Sequence, residues 1–176
     1  MKTAKLVLAS GLFLALVLTG CGGPAKKAEE PKKAEPVQTK PGLGISQAEL
    51  LKGIDEIKLG RVEQGGPPTF LGYTPDREQG GTTYTSIVVQ GSPETVMYAK
   101  IVAGCDSSKG ADLVARNMRY VDAFLSNVFG GNVPDEIKKE LAFVKENQDK
   151  KRQVVAGNRN ITLFQELTKQ LEIDVR

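Results

Sequence analysis

TTYTSIVVQGSPETVMYAKIVA, residues 82–103, decides how this chain is read. Two runs rich in β-branched and aromatic residues, 82–90 and 94–103, flank the turn signal Gly91-Ser92-Pro93, the pattern of an antiparallel hairpin. In the second run Val96, Tyr98, Lys100 and Val102 alternate with Met97, Ala99, Ile101 and Ala103. The second set is uniformly apolar and is expected to face the core. Upstream, TFLGY at 69–73 is set off by Thr74-Pro75-Asp76 and Gly80-Gly81, which extends the hairpin to a three-stranded meander.

Helical patterns flank the meander. Ser46-Gln47-Ala48-Glu49 is a capping box, with Ile45 and Leu50 placed as a hydrophobic staple, and Leu50, Leu51, Ile54 and Ile57 share one face. A first helix is expected over 46–58, stopping near Gly60. After the loop GCDSSKG, apolar positions Ala111, Val114, Ala115, Met118, Val121, Phe124, Leu125 and Val128 recur at three and four, and Gly130-Gly131 supplies a stop. Pro134, Asp135 and Glu136 suit the first turn of another helix that carries Ile137, Leu141 and Val144 inward and ends near Asp149.

The tail holds RQVVAG, a turn at Asn158-Arg159, NITLFQE, and LEIDVR, in which Leu171, Ile173 and Val175 alternate. This reads as a second run of antiparallel strands. A helix through Leu163, Leu167 and Leu171, spaced by four, is the rival reading. The expected fold class is therefore α+β, a two-layer sandwich in which helices cover an antiparallel sheet, in the order α-βββ-αα-ββ(β).

The N-terminus has a different character. Lys2 and Lys5 precede an uncharged run over residues 6–18, which is shorter than the roughly 20 apolar residues a spanning helix needs. A basic leader with a short apolar core reads as a signal peptide. The run ends in Leu18-Thr19-Gly20-Cys21, which resembles the lipobox of bacterial lipoproteins at all four positions. The resemblance covers only the first 21 residues. It implies export, a diacylglyceryl group on the Cys21 sulfur, cleavage before Cys21 and acylation of the new amino terminus. Lipidation at Cys21 would anchor the chain to the cell membrane or outer membrane without spanning it, since two or three acyl chains hold stably where one is marginal. Gly22, rather than Asp, follows the Cys; in a two-membrane host this is similar to outer-membrane lipoproteins.

Residues 22–43 contain four of the nine prolines, a near repeat KKAEEP then KKAEP, and almost nothing large and apolar. They read as a disordered tether reaching on the order of 25 Å when flexible. The expected organisation is a signal peptide at 1–20, the lipidated Cys and tether at 21–43, and one globular domain at 44–176.

The chain has 176 residues, 40% hydrophobic and 26% charged, with a net charge of +3. Leader and tether hold seven basic residues against three acidic ones, so the domain is near neutral and carries no basic signature for nucleic acid. With His absent from the entire sequence, imidazole catalysis and imidazole metal sites are excluded. No cofactor, metal site or catalytic residue is marked in the sequence.

Once Cys21 is lipidated, Cys105 is the remaining thiol and is expected to behave as a small buried hydrophobe; a reactive thiol is the sharper alternative. Ser107, Ser108, Lys109 and Gly110 precede the long helix and form a possible anion or ligand loop, although the full phosphate-loop spacing is missing and a helix cap from either serine explains them as well. The segment 65–70 and the loop Asp76 to Gly81 are candidates for a binding edge with Tyr73 and Tyr84, with core or cross-strand pairing the simpler role of the two aromatics. The expected function is a membrane-anchored, non-enzymatic binding module for an envelope protein or small ligand. A small envelope hydrolase using carboxylates, Lys or Cys105 is the alternative.

Overall fold

The computed structural model describes residues 42–176; the leader, Cys21 and the tether up to residue 41 lie outside the described residues. The chain is already part of the core at Leu43, which is 2% exposed and donates its N–H to the Val96 carbonyl at 2.8 Å. Reading Leu43 as the last tether residue missed that it is a large apolar side chain with a backbone partner waiting for it.

The capping box forms as expected. Ser46 Oγ accepts from the Glu49 N–H at 3.2 Å, and the Glu49 carboxylate accepts from the Ser46 N–H at 2.7 Å. The helix α1 that it starts is only Gln47–Leu50, not 46–58. Gly53 has φ +79°, outside right-handed helical space, and the chain continues in turns that still bury Ile54 and Ile57.

Seven strands then form one antiparallel sheet: β1 Gly60–Val62, β2 Thr69–Tyr73, β3 Thr85–Ser92, β4 Thr95–Gly104, β5 Arg152–Ala156, β6 Arg159–Gln165 and β7 Gln170–Val175. Their spatial order is β1-β2-β3-β4-β7-β6-β5, and the sheet is open, with β1 and β5 at its edges. Helices α2 (Ala111–Val128) and α3 (Asp135–Glu146) occupy the connection between β4 and β5. The chain is thus α+β, in the order α-ββββ-αα-βββ. The extra strand, β1, is three residues long and too short to show alternation. The tail forms strands throughout, and Leu167, part of the rival helical pattern, stands 69% exposed in the β6–β7 turn.

The inward set of β4 needs one correction. Ala99, Ile101 and Ala103 are fully buried as expected, but Met97 is 49% exposed and Val96 is buried in its place. The register slips between Gln90 and Gly91, so that Gln90 opposes Tyr98 while Gly91 opposes Val96. A β-bulge of this kind adds one residue to a strand and reverses the alternation beyond it.

In α2 the buried stripe is Asn117, Tyr120, Val121, Phe124, Leu125 and Val128. Ala111 and Ala115, expected inward, are exposed, and Asn117 is buried because its Nδ2 donates to the Gly104 carbonyl at 2.9 Å. The helix stops where Gly130 and Gly131 adopt φ +64° and +95°. Ile137, Leu141 and Val144 carry α3 into the same cluster, which also takes in Ile161, Leu163, Leu171, Ile173 and Val175. The two meanders therefore share one core, joined where β4 pairs with β7 from Ala99↔Val175 to Gly104↔Gln170.

Candidate functional site

Strand directions give the domain two ends. At one lie Leu43, the β3–β4 turn, the β5–β6 turn and Arg176; at the other lie the loops 74–84, 105–110, 147–151 and 166–169. The loop residues singled out in the sequence, Cys105, Ser107–Lys109 and Gly110, and the Asp76 to Gly81 segment, all fall at the second end, opposite the point where the chain joins the core.

The segment before α2 is organised by Asp106 rather than by a serine cap. Its carboxylate accepts from the Ser108 N–H at 3.2 Å and from the Ser108 hydroxyl at 2.7 Å, closing the 3-10 turn Ser107–Lys109. Lys169 reaches across from the β6–β7 turn to the same carboxylate at 3.0 Å. The Ser108 and Lys169 hydrogen bonds hold the Asp106 carboxyl below its usual range. Gly110 follows at φ +139° and gives α2 no side-chain cap. An anion approaching this turn meets the charge of Asp106, with Asp112 in the first turn of the helix. Charge at this turn is mixed: Asp106, paired with Lys169, and Asp112 stand beside Lys109 at the end of the 3-10 turn.

Cys105 is half-buried and bonded into the sheet end, its N–H donating to the Lys169 carbonyl at 2.7 Å and its Sγ lying 3.4 Å from the Ala103 carbonyl. Burial pushes its thiol pKa up, against a smaller opposing effect of the Leu171 backbone and the Lys145 charge. A thiol shifted this way is protonated at neutral pH and a poor nucleophile.

Loop 74–84 is tied down by two basic residues. The Arg77 guanidinium lies 3.5 Å from the Tyr73 ring centroid and 5.8 Å from that of Tyr84, and the two rings meet edge to face at 6.1 Å. Tyr73 and Tyr84 are thus half-buried partners of a cation, not core residues. Arg116, on α2, bonds the Asp76 carboxylate and reaches Glu56 at 3.2 Å. Burial alone would raise the Asp76 carboxyl, but the Arg116 hydrogen bond and charge, with help from Thr74, hold it below its usual range.

The alternate residues of the strands face away from the core. Leu71, Val88, Tyr98, Lys100, Val102, Thr162, Phe164, Glu172 and Asp174 are all half-buried on this side. Register places Lys100 opposite Asp174 and Asp174 opposite Thr162. Tyr98 donates its hydroxyl to the Asp174 carboxylate, and Lys100 pairs with Glu172 at 2.7 Å. Burial and the Asp174 carboxylate both push the Tyr98 pKa far up, so its hydroxyl remains a proton donor. Toward β5 the face deepens into a concavity of about 460 Å³ lined by Lys151, Gln153, Val155, Asn160, Thr162 and Arg176, with Asp174 as its carboxylate. Alternation with the core-facing set marked Tyr98, Lys100 and Val102 as outward, and alternation with Leu171, Ile173 and Val175 leaves Glu172 and Asp174 on the opposite side of their strand. It had no means of showing that four of them, from two distant segments, interlock as two polar pairs.

Among the described residues no group of three or more Cys, Asp or Glu is placed to hold a metal ion, and no helix is long and apolar enough to cross a membrane. No protein-family model, no curated protein and no solved structure matches the chain.

Proposed function

We propose that this chain is an exported lipoprotein, anchored through Cys21, whose domain is a non-enzymatic binding module that meets its partner on the outward face of the sheet. The finer fold reading belongs here too: a two-layer sandwich, with helices on one side of the sheet and the other side left for a ligand. The observation that carries the proposal is the outward face itself, where the Tyr98–Asp174 and Lys100–Glu172 pairs stand among Leu71, Val88, Val102 and Phe164 beside a shallow concavity. Mixed apolar and paired polar groups on a rigid sheet suit recognition of a protein or small ligand. The anchor rests on the leader and the Leu18-Thr19-Gly20-Cys21 motif.

Two measurements test this. The full chain should partition with membranes and take up a palmitate analogue, and Cys21→Ala should abolish both; continued labelling of that variant would remove the lipoprotein reading. A photo-crosslinking side chain at Thr162 should capture a discrete envelope component, whereas one at exposed Asp122 on α2 should not. Equal capture from both positions would remove the outward face as the binding surface.

A further inference from the structure

Strand β5 closes one edge of the sheet, and among the described residues nothing pairs beyond it. The direction of its free backbone groups follows from β6. Asn160 exchanges both backbone hydrogen bonds with Arg176, at 2.8 and 3.0 Å, so its N–H and C=O point away from β5. Val155, directly opposite Asn160, is therefore in a non-bonded pair with it, and turns its own N–H and C=O outward; Gln153, two residues away, does the same. The side chain above this edge is apolar, with Val155 69% exposed.

Charge on the edge is asymmetric. Lys150, Lys151 and Arg152 stand at its start. Helix α3 runs back along β5, so that Arg152 meets Glu140 at 3.2 Å while Glu136, in the first turn of the helix, lies further along the strand. A groove of about 590 Å³ between strand and helix is lined by Glu136, Glu140, Lys151, Arg152, Gln153 and Val154. Lys150, Lys151 and Glu136 have no ion-pair partner among the described residues.

We infer that β5 is a docking edge for a second copy of this chain, joined in an antiparallel β5–β5 pair about a two-fold axis at Val154. In that arrangement Gln153 of each copy opposes Val155 of the other, and the outward N–H and C=O groups satisfy one another. The basic start of each strand, Lys150 to Arg152, then runs along the shared edge toward the end at which the other copy holds the acidic first turn of α3, with Glu136. The two basic starts stand about 20 Å apart, well beyond the screening length of about 8 Å at physiological salt. An acidic peptide would answer the lysines and leave Glu136 opposed; a second copy answers both. The contact is small, so attachment of both copies to one membrane would strengthen it through effective concentration, but the pairing itself does not depend on the anchor.

The test uses the full chain carrying Cys105→Ser. Val154→Cys in that background places two thiols across the axis in a non-bonded cross-strand pair with Cα atoms about 4.5 Å apart, within disulfide reach. Mild oxidation should give a disulfide-linked dimer well above the Cys105→Ser background, and Val155→Pro, which removes an outward N–H, should lower its yield at least tenfold. In sedimentation of the uncrosslinked chain, Lys151→Glu and Glu136→Lys should each weaken dimerisation about tenfold, and the double variant should restore it. Circular dichroism verifies that each variant is folded; if Val155→Pro is not, the charge exchange decides. Absence of the dimer in both measurements, failure of the double variant to restore it, or adducts to other proteins in place of the dimer would each overturn the inference.

Discussion

Arg159 donates from Nη2 to the carbonyl oxygen of Leu43 at 2.8 Å, joining the first core residue of the domain to the start of β6 across 116 positions of sequence. The same guanidinium lies 5.5 Å from the Phe129 ring centroid, at the end of α2. Three segments far apart in the chain therefore meet at one cation.

Leu43→Ala should lower unfolding free energy by about 2–5 kcal/mol, the range for emptying a fully buried leucine site. Arg159→Met, which keeps the stem and removes the donor, should cost about 1–2 kcal/mol. Urea denaturation of both variants measures this, and a Leu43→Ala chain as stable as the parent would show that the core begins later than residue 43.

Gly91 sits at the bulge with φ +124°, and a Cβ there would lie 2.2 Å from the Thr95 carbonyl oxygen. Gly91→Ala should therefore destabilise the domain by at least about 2 kcal/mol, combining backbone strain with steric overlap. Gly65→Ala, where a Cβ meets nothing within 4 Å, is the paired control and should change little. Equal effects in thermal melts would contradict the bulge geometry.

The Asp76–Arg116 pair makes stability fall in acid. The folded-state pKa of Asp76 is lowered, so its contribution is present above the unfolded value of about 3.9 and is lost as pH falls below it, through the folded value. Asp76→Asn should reduce stability at pH 7 and flatten the acid limb below about pH 4. An acid limb with unchanged slope would mean that this carboxylate is not perturbed by Arg116.

Cys105 should react slowly with a thiol reagent at neutral pH in the folded chain and rapidly in denaturant, because burial raises its pKa. Cys105→Ser should keep the fold. A folded-state rate matching that of a free thiol would reopen the reactive reading.

Much of the fold was legible in sequence. Ala99, Ile101 and Ala103 declared their face by alternation, α2 by its three-four spacing, and the Ser46–Glu49 box by its residue types alone. Met97 was misread because a bulge depends on how Gly91 is accommodated between two paired strands, which is a property of the pair. The first helix was overextended because Leu51, Ile54 and Ile57 keep helical spacing even though Gly53 breaks the backbone. The outward face was legible only in halves: Tyr98 with Lys100, and Glu172 with Asp174, each looked like ordinary exposed strand residues until β4 and β7 were set side by side. The Asp76–Arg116 and Asp106–Lys169 pairs left no local signal at all, since each joins loops or helices brought together by the sheet.

The position of β7 also governs how the molecule is made. The last six strand residues, Gln170–Val175, are inserted between β4 and β6, in the middle of the sheet. Until they leave the ribosome, β4 has an unsatisfied edge and neither meander can complete its core. Such long-range closure is intrinsically slow. A nascent chain stalled before Gln170 would leave β4 and β6 unjoined with the β4 edge exposed, so closure of the sheet must wait until β7 has been made.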